Sequence, residues 1–254
     1  MARLTELSSQ QHQTMCIAPN AASDYASKQH IMQLQATELP HAATCFPVFV
    51  SRNSRNGQLS LSALASFVIN KNLFLRNGVW EPVFKPSKLL THPLYLMQSP
   101  KDEKQFTVGF DADSSDVTSH GGIALFTSEG KASAELIEMT KLLNNELTST
   151  RQSFAFLKTL DELNLLKPVD LQVQYQVGET EVITGLYTIS EDNLQTLPVE
   201  QLDTLRKSGY LMPIHALLIS LLQVNNLINK HNARNDLPTI SAVKIEASKE
   251  QINQ

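Results

Sequence analysis

The stretch DLQVQYQVGETEVITGLYTIS, residues 170–190, constrains this chain more than any other. Leu171, Val173, Tyr175 and Val177 alternate with polar residues. In an extended chain that period puts the apolar set on one face and the polar set on the other. Gly178-Glu179 supplies the turn. The stretch therefore predicts two antiparallel strands with one buried face and one wet face.

Strand signals also fill the first half. CFPVFVS (45–51) is β-branched and aromatic, Asn56-Gly57 marks a turn, and QLSLSALASFV (58–68) alternates over its first part. NLFL (72–75), Asn77-Gly78 and VWEPVF (79–84) read as a hairpin, whose second arm Pro82 and Pro86 push to an edge. FTVGFDAD (106–113) and GIALFTSEGKAS (122–133), with a turn at Ser128-Glu129-Gly130, continue the pattern.

The period then lengthens. Leu136, Met139 or Thr140, and Leu143 share one helical face. Phe154, Leu157, Leu160 and Leu163 share another, with Ser149 or Thr150 as the N-cap of a second helix that Lys167-Pro168 stops. A further helix has Pro198 near its first turn, Arg206 and Lys207 in its last, and Gly209 after it. GYLMPIHALLISLLQVNNLINKH is apolar nearly all round from Leu211 to Leu227, the pattern of an interior helix. Strands followed by helices, without βαβ alternation, predict an α+β single domain: a strand-rich N-terminal half with hairpins, packed against helices mostly in the C-terminal half.

Length and charge bound the rest. The 254 residues suffice for a substantial core. A net charge of −4 leaves no basic footprint for nucleic acid. No uninterrupted apolar run approaches the roughly 20 residues of a membrane span. Polar residues break every h-region candidate in MARLTELSSQQHQTMCIAPN, so a cytoplasmic location is expected. Residues 1–30 read as a flexible leader, 31–231 as the folded domain, and 232–254 as a flexible polar tail. Cys16 and Cys45 make no framework, and Cys45 in ATCFPVFV reads as a buried thiol.

Known catalytic signatures are missing. Gly121-Gly122 opens a strand rather than a helix, so it makes no phosphate loop, and no histidine pair has metal spacing. Asp111, Asp113 and Asp116 in DADSSD lack the glycine and closing glutamate of a calcium loop, and a solvated acidic turn is the expectation. No metal and no cofactor is expected. Two histidines are candidates for acid/base work: His215, read as buried in the apolar helix, and His92, in KLLTHPLYL. For both, a structural hydrogen bond is the more ordinary role. The stretch 70–95 carries four aromatics among prolines and lysines, including Trp80, the one tryptophan. Trp80, Phe84, Lys85, Lys88 and Tyr95 are the binding candidates; Phe74 reads as core.

The same residues carry a family resemblance. In order they are Glu38, Phe46-Pro47-Val48-Phe49, Asn72-Leu73-Phe74, Asn77-Gly78-x-Trp80, His92-Pro93-Leu94, Gly122-x-x-Leu125-Phe126 and Gly130. Phe154, Leu160, Leu165-Leu166, Gly209-x-Leu211, His215-Ala216-Leu217 and Ser220-Leu221 follow. This succession, over about residues 30–231, resembles the SapC family of bacterial proteins, named from a surface-layer protein locus. Where the family usually carries arginines and Y-P-F, this chain has Leu89-Leu90-Thr91-His92-Pro93-Leu94, so an anion-binding role does not transfer.

The resemblance implies a soluble accessory or binding protein of surface-layer or envelope systems. Family genes often neighbour those for flavin-dependent halogenase-like proteins, cupin-like proteins and outer-membrane receptors. It supplies no catalytic residue. The alternative is an enzyme of unrecognised type using His215 or His92. A protein partner, a small molecule and a homodimer all stay open as partners; nucleic acid is not expected.

Overall fold

The structure is a computed structural model that describes residues 3–53, 56–100, 102 and 105–248. The chain opens with β1 (Leu4–Glu6), α1 (Ser9–His12), β2 (Cys16–Ile17), α2 (Ala21–Ser27) and β3 (Ile31–Leu34). A 3-10 turn at Ala36–Glu38 leads to α3 (Leu39–Ala42), β4 (Val48–Arg52) and β5 (Leu59–Leu64). The short arms β6 (Leu75–Arg76) and β7 (Val79–Trp80) precede α4 (Ser87–Thr91), β8 (Leu94–Gln98), β9 (Phe106–Asp111), β10 (Val117–Thr118) and β11 (Ile123–Ala124). Then come α5 (Ala134–Glu162), β12 (Leu166–Tyr175), β13 (Glu181–Ile189), α6 (Glu191–Gln195), α7 (Val199–Lys207), α8 (Leu211–Ser220), α9 (Gln223–Asn232) and β14 (Ile240–Ala247). Antiparallel sheets with helices mostly in the C-terminal half make this an α+β fold.

The chain groups into two compact units. Unit 1 comprises Met1–Lys28, Leu75–Trp80 and Ser87–Ser149, and unit 2 comprises Gln29–Phe74, Glu81–Pro86 and Thr150–Gln254.

Unit 1 is built on two three-stranded sheets, β1-β9-β8 and β10-β2-β11, and the β6-β7 hairpin. Its core holds Ile17, Leu94, Phe110, Leu125, Leu136 and Leu143. The leader is not loose where it is described: Leu4–Glu6 pairs with Gly109–Asp111, and Cys16–Ile17 sits between two strands from beyond residue 116. Strands of two or three residues show no period, and their partners lie about a hundred positions away. Local composition therefore gives no hint of them. At Gly122 a Cβ would sit 2.0 Å from the Ile17 carbonyl oxygen, so only glycine fits where β11 meets β2.

Unit 2 carries a six-stranded sheet in the order β14-β12-β13-β4-β5-β3. The pair read at 170–190 is β12 and β13, with Val169, Leu171 and Val173 buried; Val177 lies past the end of β12 and is exposed. The polar tail contributes β14, which pairs along β12 from Val169 to Tyr175, so a segment too polar to bury much still completes a ladder.

Two helix expectations change. Residues 134–162 form one helix, and Ser149 and Thr150 lie inside it rather than capping a second. Serine and threonine cost only a few tenths of a kcal/mol each in a helix, less than the burial of Leu143 on one side and Phe156, Leu157 and Leu160 on the other. Phe156 is the buried phenylalanine, while Phe154 is 58% exposed.

The apolar run after Tyr210 breaks at Leu221–Leu222 into α8 and α9. Taken together, Leu211–Asn232 is 22 residues long with a mean hydropathy of 1.6 in its most apolar window, of which 33% is buried. Among the described residues it is the segment whose length and composition would suit a membrane span, which a search for unbroken apolar runs does not register. Core helices meet the same criterion, and α8 buries Ile214, Leu217 and Ser220. Cys45, read as buried, is half-buried, with its Sγ 3.4 Å from Thr44 Oγ1.

Candidate functional site

His92 follows α4 directly, at a cis peptide with Pro93 that leads into β8. Its ring lies flat on Tyr25 of α2, with centroids 4.0 Å apart, and Tyr95 meets its edge at 6.5 Å. Nε2 lies 3.0 Å from Asp116 Oδ2, and because a carboxylate only accepts, Nε2–H is the donor. Ser114 Oγ donates to the same oxygen at 2.8 Å. Burial lowers the His92 pKa and Asp116 partly opposes this. Burial also raises that of Tyr95, helped by Tyr25 and the nearby carboxylates. With a side chain only 5% exposed, the ring shows no face to a substrate. The geometry is that of a neutral histidine tying α2, β8 and the 114–116 turn together.

The other predicted residues are divided between the two units. The Asn77-Gly78 turn forms as read, with both residues at positive φ (52° and 76°), and Leu75 opposes Trp80. Trp80 is half-buried. Lys88 pairs with Glu146 at 2.8 Å. Phe84 stacks on His41 at 6.2 Å, and burial lowers the pKa of Lys85. Trp80, Lys88 and Tyr95 belong to unit 1, and Phe84 and Lys85 to unit 2. Of the binding candidates, Tyr95 meets His92 within unit 1. The acidic cluster splits as well: Asp111 accepts from the Arg3 and Asp113 backbones, while Asp116 serves His92. Among the described residues no group of three His, Cys, Asp or Glu stands at metal-holding geometry.

His215 is exposed, not buried; its Nδ1–H donates to the Leu211 carbonyl at 2.7 Å. Its helix-mates explain the error. Pro213, Ile214, Ala216, Leu217 and Ser220 fill the inward face, which turns 215 outward. Ser220 Oγ, fully buried, accepts from Val48 N–H at 3.0 Å and donates to the Leu217 carbonyl at 2.6 Å, anchoring α8 to β4.

On the outward side, Met212 (66% exposed), His215 and Ile219 (60%) of α8 and then Leu222 (71%), in the break before α9, follow one another at steps of three, four and three. The ten residues of α8 include no acid and no Lys or Arg. Beside the Met212 end lies a cleft of about 390 Å³ lined by Pro40, Gln152, Tyr210 and Pro213. This stripe and cleft form an exposed apolar surface of unit 2. Composition had pointed to the helix but not to the side that stays bare.

One buried histidine was passed over in the sequence. His231 of α9 is fully buried; its Nε2–H donates to the Pro238 carbonyl at 2.9 Å, and its Nδ1 has no hydrogen-bond partner. Burial lowers its pKa and Lys71 adds to this, against Pro238, Asp236 and Glu181. His231 and His92 both have folded values below the ordinary 6.5. Just below that value the unfolded chain therefore binds more protons than the folded one. Their contribution to stability is complete above about 6.5 and is lost as pH falls from there through the lowered values. The melting temperature is expected to drop as pH falls below about 6.5. His231→Gln, which can still donate to Pro238, should flatten part of that slope. A melting temperature that His231→Gln leaves just as steep in pH would remove His231 from this role.

A family model described as SapC matches residues 7–227 of the chain. No curated protein and no solved structure matches it.

Proposed function

The chain belongs to the SapC family, and from that premise we propose that it is an accessory binding protein of bacterial surface-layer or envelope systems, holding a protein partner on the outward face of α8. The observation that carries this reading is the apolar stripe Met212–His215–Ile219–Leu222. Side chains of that size each contribute roughly 1.5–3 kcal/mol when fully buried, and they stand exposed on a helix fixed firmly from behind. A membrane surface is the poorer fit, because interfacial helices set Lys or Arg opposite their apolar face, and here the opposite face is core. Turnover by histidine has less support. His92 is enclosed, and His215 stands among Met212, Ile219 and Leu222 on the exposed face with its Nδ1–H committed to the Leu211 carbonyl.

The test is a photo-crosslinking amino acid at Ile219, with a second at exposed Val177 as control, expressed in a bacterium carrying the native gene neighbourhood. A discrete adduct with one envelope-system protein, formed from position 219 and not from 177, is the expected result. Adducts of the chain with itself alone, or none, would overturn the proposal.

A further inference from the structure

We propose a second, independent site in unit 2: the cleft between the β4–β5 hairpin and the second half of α5 binds a small organic carboxylate with a flat apolar body. The cleft measures about 510 Å³, within the range of small-molecule pockets. Its floor and one wall come from α5. Phe154, Leu157, Lys158 and Asp161 stand at i, i+3, i+4 and i+7 and so share one helical face. Leu59 and Arg52 line the hairpin side.

Phe154 is the first clue. It is 58% exposed although its neighbour Leu157 is buried, so the cleft offers an aromatic ring over an apolar floor. The cations are the second. Arg52 is set in place by the Tyr187 ring, 5.5 Å below its guanidinium carbon, and makes a long hydrogen bond to the Gly57 carbonyl at 3.4 Å and a one-pronged ion pair from Nη2 to Asp161 at 3.2 Å. Lys158 pairs with Glu162 at 3.6 Å, and both are largely exposed. Exposed single contacts of this kind are weak and are readily exchanged for a better partner. A ligand carboxylate would give Arg52 the two-pronged geometry it lacks, and Lys158 a point charge at the other rim.

Arg52 and Lys158 each face one exposed carboxylate, Asp161 and Glu162, and a monoanion entering the cleft would exchange with these for the two cations. The Asp161 carboxylate in the lining would repel a phosphate dianion more strongly than a monoanion. The flat body follows from Phe154, since rings stack in offset or edge geometry and a branched chain would not cover it.

The probe is naphthalene-2-carboxylate, titrated calorimetrically against its neutral counterpart naphthalene-2-methanol. Saturable binding of the carboxylate at one site, at least about tenfold tighter than the alcohol, is expected. Phe154→Ser and Lys158→Gln, both at exposed positions, should each weaken it about tenfold or more with the melting temperature unchanged, while Ile219→Glu on α8 should not alter it. Equal affinity for the alcohol would reduce the site to a greasy surface and overturn the proposal. So would an affinity indifferent to Lys158→Gln, equal weakening by Ile219→Glu, or no saturable binding.

Discussion

Phe74→Ala is expected to lower the stability of unit 2 by about 3–5 kcal/mol, the range for removing a fully buried phenylalanine. The ring is 1% exposed and meets the edge of Phe46, itself fully buried, at 4.5 Å. Its other side carries Lys230 Nζ at 5.1 Å, and that ammonium is held by Glu81 at 2.7 Å. Truncation therefore removes the ring's own burial, an aromatic contact and the seat of a cation at once. The Phe74 backbone is fixed separately, its N–H donating to Asn72 Oδ1 at 2.9 Å, so the site cannot readily collapse into the cavity. Against the 5–15 kcal/mol typical of a domain, such a loss is a large fraction. It should appear as a fall in melting temperature of roughly 6–20 °C. Phe74→Leu should recover most of it. A shift under about 2 °C for Phe74→Ala would mean that the aromatic pair is not a core contact.

That Phe74 belongs in the core was legible because it sits in an apolar run beside an Asn-Gly turn, where period and turn chemistry agree. The same agreement made β12 and β13 readable, and α7, which begins after Pro198 and closes before Gly209. What was not legible depends on distant pairing. β1 and β2 are too short to show a period, and β14 is too polar to announce burial; each is a strand only because a partner waits elsewhere. The continuity of α5 through Ser149 and Thr150 is likewise a tertiary outcome, since weak local helix formers gave way to buried leucines on both sides.

For the candidate sites the limit is different. Sequence marks which residues are apolar but not which side of a helix finds cover. α8 is apolar all round, so nothing in its composition separates Ile214 and Leu217, fully buried, from Met212 and Ile219, bare. The same ambiguity put His215 inside. In the aromatic segment, spacing along the chain suggested a patch, whereas the chain divides at Trp80 and again at Pro86 between two units. Phe154 reads on one helical face with Leu157, Leu160 and Leu163, yet the buried face runs through Ser153, Phe156, Leu157 and Leu160 and leaves Phe154 outside.

Changing Ile219 and Leu222 together to glutamate should abolish partner capture while leaving the fold intact. Both side chains are mostly exposed, and surface substitutions away from special features usually change stability by no more than about 0.5 kcal/mol. In a complex the balance reverses. Each apolar side chain would contribute roughly 1.5–3 kcal/mol, and a carboxylate sealed there unpaired adds a further penalty. At about 1.4 kcal/mol per factor of ten, affinity should fall at least about 100-fold. The adjacent residue supplies the opposite control. Ser220→Ala removes the acceptor for Val48 N–H in a fully buried position, so it should cost about 1–3 kcal/mol of stability and leave the outward stripe unaltered. Position 219 then reports on binding and position 220 on folding, one residue apart on one helix. Capture that survives both glutamates would take the partner off α8. Capture lost in Ser220→Ala and retained in the double glutamate variant would show that the partner reads the integrity of unit 2 rather than this face.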